Sequence, residues 1–271
     1  MLVDTHCHLN LIVDYSFDIP LSQSDLEKAQ VILDQAALHE VSKILNVGTS
    51  LIESQNCVML AQKYPSVYAS IGIHPNDLTD TWRSDLVQIE NMLETKTESK
   101  IVAIGECGLD THYPDYDLLR QKEAFFRQIE IALEHDLALV IHTRDAGDET
   151  LRCLEPYKKN GMRGTIHCFS EDLSFAQTAI SYGFVLGFGG TLTYPKNNVL
   201  RQVAQTVGLD YIILETDAPF LPPQELRGTR NHPKNIQIIA HYLADLLGVT
   251  YQEVAEKTTA NADAIFFKKY L

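Results

Sequence analysis

Short β-branched apolar runs alternate along this chain with longer stretches whose apolar positions recur at helical spacing. The runs predict strands at Leu2–His8, Lys43–Val47, Val67–Ile73, Ile101–Glu106, Ala138–His142, Gly164–His167, Phe184–Phe188 and Tyr211–Glu215. Between them, Ser24-Asp-Leu-Glu27 reads as a capping box opening a helix to about His39. The stretch 118–135 sets Leu119, Phe125, Phe126, Ile129 and Leu133 near one helical face. Two further helices are expected at Pro233–Leu247 and Tyr251–Phe266.

Strands alternating with helices imply a parallel sheet, and eight such units are the number that closes a (β/α)8 TIM barrel. An open doubly wound sheet is the alternative. It would ordinarily carry a glycine-rich turn after the first strand, where this chain has His6-Cys7-His8. With 271 residues, no Pro- or Ser-rich linker and no internal repeat, one barrel domain spanning 1–271 is expected.

Composition narrows the functional classes. A hydrophobic fraction of 45% with 21% charged residues describes a globular chain. The net charge of −14 argues against a broad basic surface that coats nucleic acid. It leaves a nuclease open, because metal ions in a carboxylate-rich pocket bring their own positive charge. Five cysteines without paired spacing make no disulfide framework, no signal peptide is visible, and no run approaches the ~20 apolar residues of a membrane span. A cytoplasmic, membrane-free setting is expected.

The residues at the expected strand ends are selective. His6 and His8 end the first strand, Glu106 the fourth, His142 the fifth and His167 the sixth, while Asp217 follows the eighth. In a barrel these positions share the catalytic rim. Alternation along a strand turns His6 and His8 to the same side and Cys7 to the other. Four histidines and two carboxylates exceed what one four-coordinate metal needs, so two divalent ions are expected, with Glu106 between them. Asp217 has two candidate roles, as a ligand and as acceptor of the proton released from an activated water.

By parity, Asp4 and Glu215 are expected behind the ligands, as carboxylates that fix histidine tautomers. His74 is a candidate contact for a substrate phosphate or a proton donor, or else a turn-stabilising residue. Arg144 would hold a phosphate oxygen or pair with a neighbouring carboxylate. Arg227, Arg230 and Lys234 are candidate backbone contacts or solvated loop charges, and residues 187–198 read as a tight βα turn. Alternation sends Cys7 and Cys168 toward the surrounding helices, and no cysteine is expected to bind the metals.

At these residues the chain resembles the TatD family of metal-dependent hydrolases, within the amidohydrolase-like barrels. The motifs DTHCHL (4–9), GIHP (72–75), IGECGLD (104–110), IHTRDA (141–146), HCFS (167–170), ETDAPFL (215–221) and RNHP (230–233) stand in the family's order. The resemblance implies a (β/α)8 fold, two and sometimes three metals, and phosphodiester hydrolysis, usually by a DNA exonuclease. His6, His8, Glu106, His142, His167 and Asp217 are the positions it carries over as the metal site. Ala138 stands where many relatives have proline and His232 where many have an acid. The segment from Asn10 to Gln23 is longer than usual, at the expected pocket rim.

Three functions remain open on sequence. The leading one is a phosphodiesterase acting on single-stranded DNA or DNA ends with magnesium, manganese or zinc. The second is ester or amide hydrolysis on the same scaffold, such as deacylation of aminoacyl-tRNA. Amidohydrolase barrels often place a modified lysine where this chain has Glu106, which favours the first. The third is a barrel that binds metal without turnover.

Overall fold

The structure, a computed structural model, describes residues 1–268, so the last three residues of the expected 1–271 domain lie outside the described residues. The strands are β1 (Leu2–Cys7), β2 (Val41–Val47), β3 (Val67–Ile71), β4 (Ile101–Asp110), β5 (Ala138–Arg144), β6 (Gly164–Ile166), β7 (Phe184–Phe188) and β8 (Ile212–Leu214). They pair in sequence order, every ladder parallel. The segment after β8 closes the barrel against β1. Asp217 N donates to His6 O and His8 N to Ala218 O, both at 2.8 Å, while Thr216 donates its amide and hydroxyl to Asp4.

The helices are α1 (Leu9–Val13), α2 (Gln23–Leu38), α3 (Leu51–Lys63), α4 (Trp82–Asn91), α5 (Leu118–Glu134), α6 (Gly147–Leu154), α7 (Leu173–Ser181), α8 (Asn198–Val207), α9 (Ile236–Leu247) and α10 (Tyr251–Ala262). A large apolar layer lies between strands and helices, where Cys7, Ile71, Ile104, Ile141, Ile166 and Leu214 meet residues such as Leu60, Phe125 and Ile239. A smaller group, including Val3, Leu45, Val140, Val185 and Ile213, fills the barrel interior. Phe266 and Phe267, in a wider turn that continues α10, pack into that interior group. Every second residue of β5 and of the β8 segment therefore runs from packed core to the rim: Ala138, Val140, His142 on one, Ile213, Glu215, Asp217 on the other.

Several boundaries move. β4 and β5 run beyond their expected ends, to Asp110 and Arg144, because their pairing continues to the partners Leu109–Thr143 and Asp110–Arg144. On α2 the capping box is formed by Ser22 and Asp25, two residues ahead of the expected one. Asp25 N donates to Ser22 Oγ and Ser22 N donates to Asp25 Oδ2. On α5, Leu119 is 81% exposed, and the buried face carries Gln121, Ala124, Phe125, Gln128 and Ile129. Gln121 and Gln128 belong there because their amides exchange hydrogen bonds with the backbone at Asp110 and Ile73. Residues 233–235 form a tighter turn ahead of α9, capped by the His232 ring accepting from Lys234 N.

Ser22→Ala removes the side-chain acceptor of the Asp25 amide at the start of α2, leaving the Ser22 carbonyl alone, and is expected to lower stability by about 1 kcal/mol. Urea unfolding checks it: the midpoint should fall with an unchanged slope. An unmoved midpoint would show that the box contributes nothing.

Candidate metal centre

The C-terminal ends of the strands bring all six expected ligands into one cavity of about 650 Å³ or its floor. β1 delivers His6 at its last turn, and the chain bends after Cys7 so that His8 caps α1. The His8 ring is fixed by Nδ1 donating to Val47 O at 2.9 Å, which turns Nε2 toward His6 Nε2, 3.2 Å away. Glu106 Oε2 lies 3.4 Å from His6 Nε2 and 3.8 Å from His8 Nε2. Asp217 Oδ1 lies 3.7 and 3.4 Å from the same two nitrogens. A tetrahedral shell with bonds of about 2.0–2.1 Å holds its donor atoms about 3.3 Å apart, and His6, His8 and Glu106 form a group close enough to hold a metal ion, with Asp217 Oδ1 beside the two imidazoles.

The other oxygen of Glu106 faces a different set. Oε1 lies 2.9 Å from His142 Nδ1, 3.1 Å from His167 Nε2 and 3.6 Å from His74 Nε2. One carboxylate thus stands between two groups of imidazoles, one oxygen to each. Behind the rings stand two more carboxylates. Glu215 Oε1 accepts from His167 Nδ1 at 3.2 Å and from Cys168 N at 2.6 Å. Asp110 Oδ2 accepts from His142 Nε2 at 3.2 Å and from Asn76 Nδ2 at 2.8 Å. His74, Asp110 and His142 converge as a further three-residue group.

The charges are mutually dependent. Burial pushes the Glu106 carboxyl up, but His167, His74 and His142 outweigh it and hold the group well below the usual carboxylate range. Asp217 is likewise pushed up by burial and held down overall by His8 and His6. Burial opposes charge on His167 and His142, yet Glu106 with Glu215 raises the first, and Asp110 with Glu106 raises the second. His6 goes the other way, lowered by burial and by His167, whose ring stacks on it at 3.7 Å. Burial and His142 bring His74 down to about 3. Its Nδ1 accepts from Asn76 N, so the neutral ring carries its proton on Nε2, facing Glu106. Among the described residues, His6 Nδ1 and Glu215 Oε2 are buried without a hydrogen-bond partner.

Other expected positions differ. Among the described residues Asp4 is hydrogen-bonded to no imidazole. Its carboxylate accepts from Thr216 N and Oγ1 and, at 3.4 Å, from His6 N, tying the Asp217 segment to β1, and burial pushes it up to about 8. Arg144 pairs with no carboxylate among the described residues, and its guanidinium lies 5.5 Å from the centre of the Tyr113 ring. Cys168 lines the cavity instead of facing the helices, because β6 ends at Ile166 and a φ of 43° at Cys168 breaks the alternation. Cys7 and Cys107 are buried away from the cavity, their thiols directed at Ala218 O and Val140 O. Asp217 also has left-handed backbone, with φ 55°, held by its amide bond to His6 O.

Asp110 is a site residue outside the expected set, although it shares Glu106's parity within IGECGLD. Asn76, Thr49 and Asp77, also at the cavity wall, lie in loops where no periodicity operates. Burial pushes Asp77 up to about 6.

Among the described residues no helix is long and apolar enough to cross a membrane. A family model described as TatD related DNase matches residues 3–267. The uncharacterized metal-dependent hydrolase YabD of Bacillus subtilis is 34% identical over 266 residues, which cover 98% of this chain and 99% of YabD. The 3'-5' ssDNA/RNA exonuclease TatD of Citrobacter rodentium is 32% identical over 231 residues, 83% of this chain and 87% of that protein. The crystal structure of YjjV, a TatD homolog from Escherichia coli K12, matches with a TM-score of 0.85 at 30% identity, covering 98% of this chain and 97% of YjjV.

Proposed function

The chain belongs to the TatD family of metal-dependent hydrolases, and on that premise we propose that it cuts phosphodiester bonds, removing nucleotides from an end of single-stranded DNA in the cytosol. The observation that carries the reading is Glu106, with one oxygen facing His6 and His8 and the other facing His142 and His167. The printed activity of the Citrobacter relative supports the substrate class. The free, largely buried thiols fit a reducing compartment.

In this reading His6, His8, Glu106 and Asp217 hold one cation, and Glu106, His142 and His167 a second. Magnesium, manganese or zinc bound there would make a water acidic enough to attack phosphorus and would neutralise charge gathering on the phosphoryl oxygens. Asp217, at the cavity edge of the first group, takes the proton of the attacking water on its carboxylate. His74, neutral with its proton on Nε2, donates a hydrogen bond from Nε2 to a phosphoryl or departing oxygen. Arg144, at the cavity wall beside Tyr113, contributes a guanidinium to the approaching strand. Glu215 keeps the His167 proton on Nδ1, leaving the Nε2 lone pair free toward Glu106.

Glu215→Gln removes that charge with little change of shape, and metal affinity is expected to fall about 10–100-fold. Chelator competition measures it, and an unchanged affinity would make Glu215 a packing residue alone. Gly187→Ala should act on the same contact. Its Cβ would stand 2.2 Å from Glu215 Oε2, so the carboxylate that holds His167 through Oε1 must shift.

A time course on single-stranded DNA labelled separately at each end, with magnesium or manganese and an EDTA control, tests the whole reading. Stepwise, chelator-sensitive shortening from one end is the expected result. Intact DNA incubated with metal-loaded protein would overturn it and turn attention to ester and amide substrates, aminoacyl-tRNA first.

A further inference from the structure

The segment from Asp14 to Ser22 leaves Tyr15 and Phe17 48% and 55% exposed, although both are large apolar rings. The two rings stand edge to face at 6.4 Å, and Tyr15 leans on Phe220 at the same distance. Phe220 in turn meets the His8 ring at 5.9 Å, and Phe17 and Phe220 both line the same cavity as His8, Glu106, His142, His167 and Asp217. The aromatic row is therefore continuous with the metal centre and runs outward from it.

Its backbone is tied down from below. Buried Glu53 accepts from Asp18 N at 2.6 Å and from Asn10 Nδ2. Buried Asn56 donates to Ile19 O and accepts from Leu21 N, and Ser50 Oγ donates to Asp18. The exposed rings thus sit on a braced segment and need little ordering to receive a ligand.

Charge points the same way. In a chain of net charge −14, Arg83, Arg120, Arg127, Arg152 and Arg163 face carboxylates. Arg230 instead lies 4.3 Å from the centre of the Tyr15 ring, Arg227 4.7 Å from Tyr194 and Arg144 5.5 Å from Tyr113, and none of the three forms an ion pair among the described residues. Aromatic faces with unneutralised guanidinium groups alongside match what a flexible polynucleotide presents, flat bases and phosphates.

We infer that Tyr15, Phe17 and Phe220, with Arg230 across Tyr15, form a stacking step for the base next to the scissile phosphodiester of a single strand. The inference rests on the nuclease reading above and adds which residues grip the strand. A stacked base of this kind strengthens binding about tenfold.

The test is a short phosphorothioate DNA strand that resists hydrolysis, carrying 2-aminopurine near its end, compared with the same strand made abasic there. Wild-type protein should quench the 2-aminopurine and bind the base-bearing strand about tenfold more tightly than the abasic one. Tyr15→Ala/Phe17→Ala should lose both the quenching and the preference, while Tyr15→Trp keeps them. If the double variant melts early, Phe17→Ala alone, at the more exposed ring, gives the same readout. A preference unchanged in the folded Ala variants overturns the stacking step, as does a wild type that binds neither strand. Binding with the expected preference, but no cleavage of ordinary DNA with any divalent metal, supports the step and sinks the hydrolytic reading alone.

Discussion

Glu106→Gln is expected to lower hydrolysis by about 10³-fold or more and to reduce bound metal from about two ions to one or fewer per chain. A carboxylate offers an acceptor to both groups of imidazoles, Oε2 to His6 and His8, Oε1 to His142 and His167. A glutamine amide offers one acceptor, and its NH₂ must face the other group, where it repels a cation. Only 5% of the Glu106 side chain is exposed, so solvent cannot take over the lost contact. Metal analysis by mass spectrometry beside the rate of strand shortening checks both halves. Full turnover with full metal content would remove Glu106 from the centre of the mechanism. The metal-free protein supplies a second reading. Burial pushes Glu106 up, but the surrounding histidines hold it well below the usual carboxylate range. A carboxylate lowered in this way stabilises the fold at every pH above its ordinary range and loses the effect as pH falls through its lowered value. Metal-free Glu106→Gln should therefore melt below metal-free wild type at neutral pH, with the gap closing only in strong acid.

The parts of the fold that were legible in sequence are those governed by a short period. Phe184–Phe188 is placed to the residue, and the other strands within a few residues, because alternating burial in a barrel wall leaves few other registers. Alternation also put His6 beside His8 and sent Cys7 outward. It failed where strands end. Cys168 follows a three-residue strand and takes left-handed backbone, so its side chain joins the cavity. Asp4 has the expected parity, yet its carboxylate is consumed by Thr216, a residue 212 positions away in sequence whose approach depends on barrel closure. Asp110 belongs to the IGECGLD motif, but a strand ending at Glu106 leaves it outside the wall. The extension of β4 follows from pairing with β5, which no local pattern records. The same holds for the aromatic row, since Tyr15 and Phe220 meet only because both segments border one cavity.

The second large effect is expected at Asp217. Asp217→Asn should lower kcat about 10²–10⁴-fold while KM for a DNA strand changes little. Asparagine keeps the size and an Oδ1 acceptor toward His6 and His8 and removes the basicity, so a loss of this form isolates proton acceptance from ligation. Position singles out Asp217 among the acids. Its side chain is 13% exposed and lines the cavity, whereas Glu215 is fully buried and occupied by His167 and Cys168, and Asp110 is occupied by His142 and Asn76. The left-handed backbone at residue 217 and the amide bond to His6 O aim the carboxylate back across β1, so the base is fixed relative to the two histidines and not to the mobile substrate. In single-turnover kinetics the slow step should remain cleavage, and the acid limb of the wild-type pH–rate profile, set by protonation of this carboxylate, should flatten in the variant. If kcat stays within about tenfold of wild type, the proton goes elsewhere, and Asp217 is left with ligation alone.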